Sequence, residues 1–321
     1  MTMTDRMFGA SLTRRHLLGS GAGLAAGAAL GPLGLASRAF AATPPKFKTV
    51  EEGFLTIAMS GSMPQTGLKD GQVIGSDADM VAAIAKHLGL AVKPNLMAWS
   101  ATIEAIKTGR ADIMCGDMGW SKARANALLL TDVIYYDGNY VTMRKDRPSG
   151  PYIDVNDMAG HSVGSGTGYS YVPDIKKIPN VEVKLYDNDD ACVRDVEAGR
   201  LDYAVLDGMS VDYMLLQNKD NNLKLVPIKP NTQYPSLSGK GRAVMGMSLE
   251  NTDLFDAVNA GIKWLWASKT NAECLARYGM VNPDYMVAGA TDPRIDVDRS
   301  ADGKILGPAA HTPKDYSSLF S

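Results

Sequence analysis

Histidine and cysteine are scarce in this chain, four of one and three of the other among 321 residues. Beyond the N-terminal segment only His87, His161 and His311 remain, too widely scattered to suggest a multi-histidine metal site. Cys115, Cys192 and Cys274 allow at most one internal disulfide and show no C-x-x-C spacing. They stand inside apolar patterns, so they are expected to be buried and reduced. Excess charge is missing too. A net charge of −2 gives no reason to invoke nucleic acid or an acidic membrane as partner. There is no Cys/His pair at motif spacing and no phosphate loop, so neither a cysteine-hydrolase nor a kinase reading finds support. Gly164-x-Gly166 lacks the third glycine of a dinucleotide fingerprint, because residue 169 is tyrosine. No metal or other cofactor is expected.

What is present is length for two domains and enough apolar residues, 45%, to give each a core. Thr13-Arg-Arg-His-Leu-Leu18 precedes an uncharged Gly/Ala/Leu run, Gly19 to Ser37, that leads to Ala39-Phe-Ala41. This reads as a twin-arginine export signal cleaved near Ala41. The run is long enough for a membrane anchor, but its glycines make it weakly hydrophobic, and cleavage is the expectation. No lipobox cysteine is present, which predicts a soluble periplasmic protein.

The stretch Trp99 to Arg124 organises the rest. Its pattern predicts a helix with Ser100 as N-cap and Gly109 as a left-handed stop, then a buried strand from Ala111 to Cys115. Gly116-Asp-Met-Gly119 and Arg124 follow just beyond the strand's carboxyl end, where α/β sheets bind ligands. An arginine there suits a carboxylate. The same grammar returns at Cys192 to Asp207. Gly109-Arg110 and Asp112 correspond to Gly199-Arg200 and Asp202, and this copy ends on a carboxylate, Asp207. Two such units delivering opposite charges suggest two lobes facing one zwitterionic ligand.

On these residues the chain resembles the bacterial extracellular solute-binding proteins of the amino-acid-binding type, family 3, over roughly 54–284. Gly71-Gln-Val-Ile-Gly-Ser-Asp-Ala-Asp-Met-Val-Ala-Ala-Ile-Ala-Lys-His-Leu-Gly89 is similar to the family's signature segment, Ser121-Lys-Ala-Arg124 to its carboxylate grip, and Leu206-Asp207 to its ammonium acceptor. The resemblance implies a two-lobed α/β fold of the type II periplasmic-binding kind. Two segments would cross between a discontinuous first lobe (48–141 plus 238–286) and a second lobe (142–237). The polar, proline-dotted stretch 287–321 reads as a surface tail, either free or packed against the first lobe. Asp296-Val-Asp298 with Asp302-Gly303 departs from a calcium loop, since the glycine is misplaced and residue 307 is glycine rather than glutamate.

The resemblance further implies a monomeric binder that closes by hinge motion on an amino acid, modified amino acid or amine and hands it to an inner-membrane ABC permease. It is not expected to be an enzyme. Arg124 would hold carboxylate, Gly119 and the turn Thr167-Gly168-Tyr169 would donate N–H groups, and Asp207 would accept from ammonium. Trp99 would line the pocket. Met63 stands where relatives usually place a covering aromatic. Asp117 replaces a small hydroxyl residue, and would either orient Arg124 or meet a cationic group on the ligand. Two other readings stay open: a cyclohexadienyl-type dehydratase with Asp117 as general acid, and an accessory subunit docking on a periplasmic quinoprotein dehydrogenase. A capping box is expected at Thr270-x-x-Glu273.

Overall fold

The computed structural model describes residues 45–237, 240–289 and 291–321, so the export signal expected over 1–41 lies outside the described residues. The chain begins with β1 (Phe54–Met59), a hairpin of β2 (Gly67–Lys69) and β3 (Gln72–Ile74), α1 (Ser76–His87), β4 (Ala91–Leu96) and α2 (Trp99–Lys107). Then come β5 (Ile113–Met114), α3 (Lys122–Ala125), β6 (Leu129–Leu130) and the long β7 (Tyr135–Arg144). The second body contains β8 (Ser162–Gly166), α4 (Val172–Ile175), β9 (Glu182–Tyr186), α5 (Asp189–Glu197), β10 (Tyr203–Asp207), α6 (Gly208–Gln217) and β11 (Leu223–Pro227). The chain then returns through β12 (Lys240–Ala243) and β13 (Gly246–Met247) to α7 (Thr252–Ser268) and α8 (Thr270–Ala276).

Two sheets result. The first runs β4-β1-β5-β13-β6, and the second β11-β7-β10-β8-β9. In each, a parallel set (β4, β1 and β5; β10, β8 and β9) is extended by antiparallel neighbours. β7 belongs to both bodies. Its first half, Tyr135–Gly138, pairs with β12, and its second half lies between β10 and β11.

Local sequence explains why each body forms. In α1, Met80, Val81, Ile84 and Leu88 recur at helical spacing and are fully buried, meeting α7 and α8, and Gly89 at φ 71 stops the helix. Each such side chain contributes about 1.5–3 kcal/mol of burial. The repeated Gly-Arg-x-Asp turn does the same job twice. Gly109 and Gly199 take φ 67 and 71, and Arg110 and Arg200 each return an N–H to the preceding helix at 2.8 Å. Asp112 and Asp202 then each accept a backbone N–H from a neighbouring strand, Thr56 at 2.8 Å and Ser162 at 3.0 Å.

Two expected caps differ. α2 starts at Trp99, one residue before Ser100, on an extended Ala98 that offers no side-chain oxygen. At α8 the expected box does not form, because Lys269 takes a left-handed φ of 62 and its own carbonyl accepts the Glu273 N–H at 3.1 Å.

The stretch beyond 287 is more than surface. Arg294 is 2% exposed, and its guanidinium donates to the Thr131 carbonyl at 2.7 Å, the Leu130 carbonyl at 3.2 Å and the Asp298 carboxylate at 2.7 Å. Farther on, Phe320 packs against His87 and Trp264. The three cysteines are free and buried. No helix among the described residues is long and apolar enough to cross a membrane.

Candidate functional site

A cavity of about 330 Å³ lies where the carboxyl ends of β5 and β10 meet the crossing strands. That is at the small end of ligand pockets, a volume that suits one compact solute. From the first lobe it is lined by Gln65, Trp99, Asp117, Gly119 and Arg124, from the second by Tyr169, Tyr171, Asp207 and Ser210, and from the crossing strands by Asp137, Asn139 and Arg242.

Arg124 is delivered by a one-turn helix whose N-cap, Ser121, accepts the Arg124 N–H at 3.3 Å. Its guanidinium is 6% exposed and donates to the Gly119 carbonyl at 2.5 Å. It also reaches across the cleft to the Gly168 carbonyl at 3.3 Å, with its plane centre 5.6 Å from the Trp99 ring. A second bridge between the lobes is the Ser210 hydroxyl donating to Gln65 Oε1 at 3.2 Å. Asp207 closes β10 from the opposite side. Burial, with Asp137 and Asp189 nearby, pushes its carboxyl well above the usual range, while the Tyr171 hydroxyl beside it and then Arg124 pull it back down.

The acidic side of the cavity is stronger than the sequence suggested. Asp117 sits at φ 51, held there by Asp77, which accepts the Gly116 and Asp117 N–H groups at 3.0 and 2.9 Å. Asp137, on β7, lines the same cavity, and its carboxyl acts on that of Asp117. Burial raises both carboxyls, Asp117 well above the usual range, and the neighbouring Asp137, Asp207 and Asp77 add to the rise in Asp117. Two buried carboxyls that act on one another favour one proton between them over two charges.

The structure brings Trp99, Asp117, Gly119, Arg124, Tyr169 and Asp207 to one cavity. Gly119 faces Arg124 with its carbonyl, and Gly168 likewise meets Arg124 through its carbonyl rather than its N–H. The Thr167 N–H is taken by the Tyr186 carbonyl at 2.8 Å, so it is not available to a ligand, and Thr167 does not line the cavity. Met63 does not line it either. Its sulfur packs over Gly67, 2.7 Å from where a side-chain carbon there would sit, and Gln65 takes the pocket position instead. Asp117 makes no hydrogen bond to Arg124; the carbonyls of Gly119 and Gly168 orient the guanidinium. Asp137 carried no motif and was missed. Its signal was a lone acid in the otherwise apolar and aromatic start of a crossing strand.

Residues 55–281 match the profile of the bacterial extracellular solute-binding proteins, family 3. The chain belongs to this family. A curated relative is the L-cystine-binding protein TcyJ of Escherichia coli K12, 24% identical over 234 residues, which cover 71% of this chain and 84% of that protein. Among solved structures, an ancestral arginine-binding protein bound to arginine superposes with a TM-score of 0.63 at 21% identity, covering 71% of this chain and 99% of that one. The ancestral amino acid-binding protein AncCDT-1, a precursor of cyclohexadienyl dehydratase, gives a TM-score of 0.61 at 20% identity, covering 70% and 95%. These likenesses establish the two-lobed α/β fold for this solute-binding protein. Its stretch beyond 287 lies outside the part that matches the family profile.

Proposed function

We propose that this family member is a periplasmic binding protein of an ABC importer that closes on an amino acid or a related small zwitterionic or cationic solute. Arg124 and Asp207, of opposite charge and on opposite lobes, face one cavity sized for one such molecule. That juxtaposition carries the reading. A carboxylate would take the Arg124 guanidinium in place of one of its carbonyl partners, and an ammonium would sit on Asp207. Ligand first contacts one lobe, and a hinge in the crossing strands closes the other over it. The closed monomer would then be offered to an inner-membrane permease, after export by the twin-arginine signal and cleavage near Ala41.

The test is a thermal-shift screen of protein beginning at Ala42, stripped of bound solute, against amino acids, betaines, diamines and aromatic acids. Ligand at a hundred times its dissociation constant adds about 2.7 kcal/mol, a shift of several degrees. Shifts confined to zwitterions support the clamp. Shifts confined to amines without carboxylate would move recognition to the aspartates and leave Arg124 without its role.

One observation favours a second reading. The raised Asp117 carboxyl in the cleft has the protonation a general acid needs, as a dehydratase would require. Turnover of a cyclohexadienyl acid that disappears in Asp117→Asn would establish it.

A further inference from the structure

We infer that Asp117 and Asp137, with the Gln65 amide beside them, form a cation subsite in the cavity, and that the ligand is a zwitterion carrying an additional ammonium or guanidinium group. This rests on the zwitterion reading above and extends it to the ligand's third charge.

Both carboxyls are fixed in place. Asp117 is held by its backbone on Asp77, and the Gln65 Nε2 group lies 3.5 Å from its Oδ2. Gln65 is itself oriented by Ser210 at 3.2 Å. On the other side Asp137 accepts the Gly138 N–H at 2.7 Å and the Met209 N–H at 3.1 Å.

Among the described residues, no cation pairs with either carboxyl in a salt bridge, and Arg124 acts on Asp117 only weakly. The other groups acting on the pair are Asp77 beneath Asp117, Asp207 across the cavity and Asp212 on α6, with the Tyr135, Tyr140 and Tyr285 hydroxyls around them. All are acidic or neutral. Arg124, the cation of the cavity wall, is bound to two carbonyls and acts chiefly on Asp207. At the rim, Arg242 pairs with Asp292 at 3.1 Å, Lys240 donates to the Asp284 and Val287 carbonyls at 2.6 and 2.9 Å, and Lys122 is exposed.

A second observation points to a ligand in the same space. Tyr171 is 3% exposed and lines the cavity, yet its hydroxyl lies beside Asp207 without completing a hydrogen bond to any group. A buried hydroxyl left open in this way is one a bound polar solute would satisfy.

Buried carboxylates need either a proton or a cation. In the unliganded site the proton serves. When a ligand cation enters, the pair ionises fully, the cation bridges both carboxylates, and the proton leaves to solvent. Binding is then linked to pH and strengthens as pH rises.

The experiment is isothermal titration of protein beginning at Ala42, at pH 7, in two buffers of different ionisation enthalpy. L-arginine, L-lysine, L-glutamine and L-norleucine are the probes. The expected result is at least tenfold tighter binding of arginine or lysine than of the neutral pair, with close to one proton released per cationic ligand. Asp117→Asn and Asp137→Asn should each remove both the preference and the proton release. Equal affinity for neutral and cationic probes, without proton release, overturns the subsite and leaves the zwitterion clamp standing. Proton release that persists in both variants also overturns it. No binding of any probe overturns the clamp itself, and the subsite with it.

Discussion

One carboxylate oxygen of Asp77 accepts the N–H of Asp117 at 2.9 Å and that of Gly116 at 3.0 Å, while the other takes the Tyr135 hydroxyl at 2.9 Å. The first residues of α1 thus hold the loop that presents Asp117 to the cavity. Burial pushes the Asp77 carboxyl up to about 6, against the pull of these hydrogen bonds. Because this value lies above the unfolded 3.8, the folded state binds more protons between the two, and Asp77 contributes most at low pH. That contribution is lost as pH rises toward and through 6. The stability deficit of Asp77→Asn relative to the parent should therefore shrink between pH 4 and pH 7, by up to about 3 kcal/mol. Urea unfolding at three pH values measures it, and a constant deficit would show that Asp77 is already ionised throughout.

Removing Arg124 should abolish detectable binding. Taking one partner from a buried ion pair costs about 3–5 kcal/mol, and a micromolar binder has about 8 kcal/mol in total. Arg124→Lys keeps the charge but loses the fork that reaches Gly119 and Gly168 together, so it should bind more weakly than the parent and more tightly than Arg124→Ala. Titration calorimetry ranks the three. Near-normal affinity in Arg124→Ala would remove this residue from recognition.

Asp298 ties the C-terminal stretch to the cavity wall. It receives Arg294, Arg299 and, at 3.1 Å, the indole N–H of Trp120, which lines the cavity. Asp298→Ala takes from two buried guanidinium groups the carboxylate they share, leaving them backbone carbonyls and, for Arg299, Asp132, and should cost about 3 kcal/mol. Trp120→Phe gives up one hydrogen bond and should cost about 1 kcal/mol. Thermal unfolding of the two variants gives the order, and equal losses would mean that the indole rather than the arginines anchors the stretch.

The three thiols should be silent in the native state. Burial pushes Cys192 and Cys274 up, Cys274 to about 11, and Cys115 well above its usual value with Asp77 adding to it. A thiol-reactive dye should label none of them in folded protein and all three in guanidinium without reductant. Two unreactive thiols after denaturation would reveal a disulfide.

Much of this was legible because it rests on local rules. Gly109-Arg110-x-Asp112 and its copy at 199–202 declared two βα units, since the same left-handed glycine and the same carboxylate-to-backbone anchor recur in both. Arg124 and Asp207 stand at strand ends, where an α/β sheet presents its ligands. What stayed hidden depends on contacts made across the fold. Asp137 is an ordinary acid until β7 carries it beside Asp117. Met63 looked like a pocket residue by its place in the chain, but the space over Gly67 draws it to the hairpin. In the extension beyond 287, nothing in the sequence marked Arg294 and Arg299 as buried, since their carbonyl partners, Leu130 and Thr131, lie far away in the chain.

β7 has a further consequence for how the two bodies can move. Its first half is locked in register to β12 and its second to β10 and β11, with the change falling between Gly138 and Asn139. A one-residue slip on either side would turn every side chain of that half to the wrong face. The strand can therefore twist or bend at the junction but cannot slide. In the proposed closure this junction is the point of β7 left free to bend, and Asp137 stands one residue before it.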